Sequence, residues 1–547
     1  SCNLGISLSK INGRLSYQNS INSKLLRGQT ALKSWNPRNH RFQMSIFDSI
    51  RNAFTIQSVS NASQINSNTN YVILGSGIAA ASIAAELSAR GLARDRTCII
   101  CEESHIDAPY NHSILPGAYL SSSLSIPNDV NLFPSSKNKI QSREWYEQHG
   151  IEVFTGIEIV QVALNSKLLS TQNSTLIKFE KLFIAFDSPH NSSSKGLKSA
   201  AQKDSNLEEF KNAFGFETRA QVDSIRQCLY DRLEAEFNEN VVVIYGSSLR
   251  AVEAACSCSK LIDSVNREKN RVVILSQEPR LLCNALPVGL SRVLEEYLRI
   301  HFNIQFQLGR EIQQIVADSN KCIRSMELES SSGSMIENIC AVLIDAVNTA
   351  DETTKESSGL MYNLRLFEEG IAHEIGGIAV NGSLRMEGKD TVYAVGGSAR
   401  MMSENGESKR ILERDDGGLH AAQSARYAVR KMADPAGVSK AYGFGMQQIQ
   451  IELWKDGGIA CCGEMNEYGI EIGIEDELCL AFWIKAETNA DHECKKIVGG
   501  ALLGTFNEEF ETCWSFLRSA VRHQTQIDVN LLQQASSVQL ALLAIQP

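Results

Sequence analysis

Apolar and polar positions fall into blocks along this chain, and the blocks change period. Residues 71–74, "YVIL", form a short apolar run. Gly-Ser-Gly follows, then "IAAASIAAELSARG" with helical spacing, then a second apolar run in "CIICEE". The same order recurs about 170 residues later as "NVVVIYGSS" (240–248), "LRAVEAACSCSKLIDSV" (249–265) and "RVVILSQE" (271–278). Strand, glycine-bearing turn, helix and strand, given twice, predict two doubly wound α/β domains. Beyond 435 the pattern changes. The strand-like pieces "CLAFWIKA" and "IVGGALLG" precede a helical "EEFETCWSFLRSAV", which predicts a separate α+β C-terminal domain.

Polar stretches divide the rest. "SPHNSSSKGLKSAAQKDSN" (188–206) reads as a linker, and "SNASQINSNTN" follows a short amphipathic helix predicted at 45–59. The chain is therefore divided into a basic extension with that helix (1–66), a first piece of one α/β domain (67–205), a second α/β domain (206–348), the returning piece of the first (349–434) and the C-terminal domain (435–547).

Charge changes the picture of the extension. The chain carries a net charge of −10. Eight Lys/Arg residues and one acid place residues 1–66 near +7, leaving the remainder near −17. An acidic body argues against nucleic acid as the main partner. A basic, Ser/Asn-rich, acid-poor head has the composition of an organelle transit peptide. The expectation is that the head is retained and held by other protein subunits. No window approaches a membrane span. Fourteen scattered cysteines lack the dense spacing of a secreted scaffold. Cys98 and Cys101 form a C-x-x-C inside a strand-like run, where they read as buried structural thiols. No metal site is expected. "DHEC" (491–494) reads as a charged loop and "ERDDGG" (413–418) as a solvated acidic turn.

Gly75-Ser76-Gly77-Ile78-Ala79-Ala80 fits G-x-G-x-x-A. Gly75 suits a tight turn, Gly77 lets the backbone approach a pyrophosphate, and Ala80 allows close helix–strand packing. The helix start offers free N–H groups to phosphates. Glu102, 27 residues past Gly75, is placed to accept from a ribose hydroxyl.

With these residues in view the chain resembles the pyridine nucleotide–disulfide oxidoreductase superfamily. Within it, the chain is most similar to the apoptosis-inducing factor group of mitochondrial flavoproteins. The resemblance is carried by "YVILGSGIAAASIAAEL", "CIICEE", "APYNHSILPGAYL", "EKLFIAF", "VVVIYGSSLRAVEAAC", "LPVGLSRVLEEYLRIHFNIQF", "VYAVGGSA" and "AAQSARYAVRKM", in the family's order over roughly 68–434. It implies an FAD domain in two pieces with an NAD domain between them, and oxidation of NADH or NADPH.

The family pattern also marks departures. Where it has an Arg and a Lys near the flavin, this chain has His112 and Gly117. The Lys partner, a Glu, is kept as Glu253, the one catalytic candidate if the chain is active. The family's "ATG" turn is Ala185-Phe186-Asp187, and its "GD" is Gly396-Gly397, so Gly397 cannot accept from the ribityl chain. One such charge-assisted hydrogen bond is worth about 1.5–3 kcal/mol, or roughly one to two decades of affinity. In the second site Gly246 keeps the first glycine. Ser248 replaces the second, Ala251 the third, and Asn348 a later one. No redox C-x-x-x-x-C is present; that stretch is "HSILPGAYLSSS".

Two readings follow. The first is a non-catalytic structural subunit of a larger mitochondrial assembly, such as a respiratory complex or a mitoribosome, with a plastid as the alternative compartment. It would hold FAD at a weakened site or an adenine nucleotide alone, with NAD(P)H disfavoured. The second is an FAD-dependent NAD(P)H oxidoreductase with rewired contacts. The cofactor-binding set common to both is Gly75, Gly77, Ala80, Glu102, Gly396 and Gly246.

Overall fold

The structure is a computed structural model of the chain. It describes residues 69–547 apart from 105, 123–132, 137–138, 187–209, 235–239, 264–269, 284–285, 330–334, 345–377, 403–407, 411–417, 439, 443–447, 455–456, 464–468, 473–477, 490–491, 528–533, 536–537, 539–540 and 542–547. The basic extension, its amphipathic helix, the 188–206 linker, Asp187, Asn348 and most of "ERDDGG" lie outside the described residues.

In chain order, β1 (Tyr71–Leu74) leads through the glycine turn into α1 (Ile78–Ala89) and β2 (Thr97–Ile100). Next come α2 (Arg143–Gln148), β3 (Ile151–Phe154) and β4 (Lys181–Ile184). The second α/β unit holds β5 (Ala213–Gly215), α3 (Arg219–Glu234), β6 (Asn240–Tyr245), α4 (Leu249–Asp263), β7 (Asn270–Ser276), α5 (Val288–Phe302), β8 (Ile304–Leu308) and β9 (Ile339–Ile344). After it come β10 (Val392–Ala394) and α6 (Leu419–Ala433).

The strands pair as two five-stranded sheets. One runs β10-β4-β1-β2-β3 and the other β5-β9-β6-β7-β8, with every pairing parallel. β10 enters the first sheet beside β4, with Val392 opposite Leu182, so a strand from beyond the second unit completes the first. Short apolar runs become central parallel strands because both faces are covered. All six residues of β6 are buried.

Helix α1 explains itself through small side chains. Ala79, Ala80, Ala81, Ile83, Ala84 and Leu87 are wholly buried. Alanine costs little entropy in a helix and lets neighbours approach. Its neighbour is α6, which turns Ala421, Ala422, Ala425, Ala428 and Val429 inward.

The C-terminal unit is antiparallel. β11 (Gln448–Trp454), β12 (Gly457–Gly463), β13 (Gly469–Ile472), β14 (Cys479–Asn489) and β15 (His492–Thr505) order as β11-β12-β15-β14-β13. Helix α7 (Glu508–His523) packs Phe510, Trp514 and Leu517 against Ala460, Leu480, Phe482 and Leu502. Asn507 caps it by accepting from the Phe510 N–H at 2.8 Å. Acids fill its first turn, and Arg522 and His523 its last, as the helix dipole favours. His492 and Cys494 of "DHEC" do not lie in a loop, because they open β15, paired opposite Asn489 and Glu487. The strand pairing continues to His492 despite the charges. The described residues include no group of three or more His, Cys, Asp and Glu arranged to hold a metal ion. No described helix is long and apolar enough to cross a membrane.

Candidate nucleotide-binding site

The first glycine turn stands at the carboxyl end of β1, between β2 and β4. Gly75 has φ +144°, a region that L side chains rarely adopt. A β-carbon there would lie 2.7 Å from the Ala185 carbonyl carbon and closer still to its oxygen. The main chains lock together on both sides. Ala185 N–H donates to Leu74 O at 2.8 Å, and Gly75 N–H donates to Ile100 O at 3.1 Å. The buried Cys101 thiol donates to Gly75 O at 3.3 Å. Cys98, also buried, has its thiol pushed up to about 12 by desolvation, with Glu152 adding to it. C-x-x-C therefore serves the packing around the turn.

Gly77 is the N-cap of α1, with no side-chain hydrogen bond to the helix start and no acid in the first turn. Such a start presents N–H groups and positive potential to an anion. Ala80 is wholly buried beneath it. Glu102 lies just past β2. Contact with protein on one side, together with Glu158 and Glu103, raises its carboxyl above the ordinary range, although the residue remains open to solvent. A ribose hydroxyl donating there would meet an accessible acceptor.

The second piece packs against the first turn. Gly396, at φ +58°, opens a single helical turn after β10, and its N–H donates to the buried Ser424 hydroxyl at 2.9 Å. A β-carbon there would stand 3.4 Å from Ala421 Cβ and 3.6 Å from Ala79 Cβ. The Ser398 hydroxyl donates to Phe186 O at 2.9 Å, tying this turn to the loop after β4. Gly418, the cap of α6, packs against the Ile78 side chain. His420 follows, with Nδ1 3.1 Å from the Tyr442 hydroxyl. Burial lowers its pKa to about 4, which keeps it neutral at neutral pH.

The region where the family carries cations is built differently. Gly117 sits in one π-helical turn, Leu115–Tyr119. Helix α4 crosses it closely, with the Ser257 hydroxyl donating to Gly117 O at 3.0 Å. The Glu253 carboxylate lies over the Gly117 α-carbon. Glu253 is thus half-buried and turned toward the first domain, not an outward helix residue. His112 places Nε2 3.3 Å from Glu103 Oε2, and its ring lies on Tyr110 with centroids 4.1 Å apart.

In the second domain Gly246 adopts φ +138° at the end of β6, and its N–H donates to Leu275 O at 2.9 Å. Ser248 closes the helix start itself: its hydroxyl accepts from the Ala251 N–H at 3.3 Å. That donor is one a bound pyrophosphate would otherwise draw on. Arg250 is buried, with its guanidinium donating to Phe216 O at 3.3 Å and lying 5.5 Å from the Phe216 ring centroid.

The structure therefore brings Gly75, Gly77, Ala80, Glu102 and Gly396 together around one turn and leaves Gly246 in another. Ser424, Gly418 and Tyr110 belong to the first site and were not singled out from sequence. Ser424 lies in the family stretch "AAQSARYAVRKM", Tyr110 in "APYNHSILPGAYL" and Gly418 at the end of "ERDDGG". The residues fit the ADP half of FAD, because an uncapped helix start, a cradle that admits no β-carbon and an acceptor at Glu102 converge. Gly397 and Gly117 carry neither the carboxylate nor the lysine that the family resemblance implies beside a flavin.

Several known proteins are similar to this chain. The monodehydroascorbate reductase 4, peroxisomal, of Arabidopsis thaliana is 27% identical over 458 residues, covering 81% of this chain and 80% of that protein. The chloroplastic/mitochondrial monodehydroascorbate reductase of Arabidopsis thaliana is 24% identical, covering 91% of this chain and 90% of that protein. Among solved structures, the ferredoxin reductase for the CYP199A2 system from Rhodopseudomonas palustris superposes with a TM-score of 0.63 at 17% identity, covering 87% of this chain and 100% of that one. The covalent putidaredoxin reductase–putidaredoxin complex gives 0.62 at 15% identity, covering 88% and 99%. The family pattern of pyridine nucleotide-disulphide oxidoreductases matches residues 69–427. The chain belongs to the pyridine nucleotide-disulphide oxidoreductase family.

Proposed function

We propose that this chain holds an adenine dinucleotide, FAD, at the Gly75–Gly77 turn and that hydride transfer from NAD(P)H has been given up or strongly slowed. One observation carries this reading: the Glu253 carboxylate lies over Gly117, where the family pattern puts a lysine beside the flavin. A half-buried carboxylate at that place disfavours a reduced, anionic ring next to it. Gly397 removes a second contact, and the Ser248 cap takes a donor from the second nucleotide site. A bound dinucleotide would then stabilise the fold by mass action without turnover. The basic extension suggests a role as an accessory subunit, and its composition suggests an organelle, the mitochondrion first. Relatives named as peroxisomal, chloroplastic and chloroplastic/mitochondrial support an organellar address in general. A place beside the apoptosis-inducing factor group stays part of this proposal.

A second reading is favoured by a specific observation. The curated relatives that span most of the chain are named as reductases. On that reading the chain is an FAD-dependent NAD(P)H oxidoreductase, with Glu253 and its surroundings rewired. An anaerobic titration separates the two. The protein is loaded with FAD and mixed with NADH, then with NADPH, while the flavin absorbance is followed. A persisting oxidised spectrum supports the first reading. Rapid bleaching supports the second and overturns the first.

A further inference from the structure

Tyr110 and Tyr119 are each 1% exposed, and both send their hydroxyls from the first domain into the second. The Tyr110 main-chain N–H donates to Ser76 O at 2.9 Å, and Ser76 is the middle residue of the first glycine turn. The Tyr110 hydroxyl donates to Glu103 Oε1 at 2.9 Å and accepts from the main-chain N–H of Arg219 at 3.0 Å. Arg219 is the first residue of α3.

That helix start is otherwise closed by its own capping box. The Gln221 N–H donates to Thr218 Oγ1 at 3.3 Å, and Gln221 Oε1 accepts from the N–H groups of Thr218 at 3.1 Å and Glu217 at 3.0 Å. A helix start leaves more donors than one box satisfies. Here the additional donor at Arg219 is met by a phenol from another domain. Tyr119 makes the parallel contact. Its hydroxyl donates to Asp223 Oδ1 at 2.7 Å and accepts from Arg219 Nε at 3.1 Å. The Arg226 guanidinium lies 5.2 Å from its ring centroid and donates to Ser122 O at 3.3 Å.

We infer that Tyr110 and Tyr119 are positioning residues that couple occupancy of the first glycine turn to the start of α3 in the second domain. The inference rests on the reading that an adenine dinucleotide occupies that turn. An anion drawn onto the Gly75–Gly77 backbone fixes the peptide whose carbonyl holds the Tyr110 N–H. The phenol, clamped between Glu103 and Arg219, delivers that change to one identified donor. Coupling of this kind requires that the two ligation states favour different arrangements of a shared element, and the tyrosine pair is such an element. Burial makes its hydrogen bonds costly to leave unmade, which keeps the linkage stiff.

Hydrogen exchange on the full chain tests this, with ADP as the probe and Tyr110→Phe as the variant. In the wild type, ADP should slow exchange at Gly75–Ala81 and also, about fivefold, at Thr218–Val222, the scale expected from firming one helix-cap bond. In Tyr110→Phe, ADP should still protect Gly75–Ala81 but leave Thr218–Val222 unchanged. A tyrosine that merely fills space would not remove this ligand-dependent difference. Exchange in α7 reports that the variant is folded. Tyr119→Phe, further from the turn, should reduce the effect at α3 without altering protection at the turn. Protection at the turn with no change at α3, or the same change in Tyr110→Phe as in wild type, overturns the coupling. Absence of any protection at Gly75–Ala81 by ADP and by FAD is a different failure: it removes the first-site reading, and the coupling with it.

Discussion

The carboxylate of Glu253 lies over Gly117. A β-carbon built on that glycine would stand 2.9 Å from the Glu253 carboxyl carbon. The obstructing group is the end of a flexible side chain, so the glycine can be replaced if Glu253 swings aside. Gly117→Lys places a lysine beside the acid, and the pair should offset the side-chain rearrangement. The expected result is a higher flavin-to-protein ratio after mild purification, with a change in unfolding free energy within about 1 kcal/mol. Gly117→Ala, which adds bulk without charge, should leave the ratio unchanged.

Gly75 is the opposite case. Its added β-carbon would strike the Ala185 main chain, which cannot turn away without breaking its bond to Leu74, and its φ of +144° suits no L side chain. Gly75→Ala should cost about 3 kcal/mol of stability and abolish nucleotide binding. Urea unfolding checks the first part and ADP titration the second.

Ser248 spends a hydroxyl on its own helix. Ser248→Gly frees the Ala251 N–H and removes a β-carbon from the path of a pyrophosphate, at a cost of a few tenths of a kcal/mol, about 0.3. NADH affinity should rise, by about tenfold if one phosphate hydrogen bond is gained. Fluorescence titration of NADH against both proteins measures it. Equal affinity would mean that the second site is closed by more than its cap.

His420 makes stability depend on pH. Its folded pKa, near 4, lies below the ordinary histidine value because burial disfavours the charged form. The unfolded chain therefore binds the proton more readily. The stability from the neutral ring is complete above the ordinary value and is lost as pH falls toward 4. The loss should amount to about 2 kcal/mol, discounted for the ring's partial exposure. Denaturation midpoints between pH 7 and 4 should fall less steeply in His420→Gln than in the wild type.

Much of this architecture was legible in the sequence because parallel strands buried on both faces write themselves as unbroken apolar runs, and β1, β2, β6 and β7 do so. The first turn was legible because its chemistry sits within six consecutive residues. What lay hidden was separated in sequence. Gly396 N–H finds Ser424, Tyr110 finds Arg219, and Glu253 finds Gly117. No local period records such a pairing. The strand start at His492 escaped for a different reason: its charges suggested a loop, but the strand pairing with β14 runs on through them.

The central claim is that the Gly75–Gly77 turn holds an adenine dinucleotide. Its most direct test is to isolate the protein under mild conditions, denature it, and identify and quantify the released small molecules by mass spectrometry. The account predicts FAD, in less than one-to-one ratio to protein. Protein that releases no adenine-containing compound, and takes up none when FAD is added back, would contradict it.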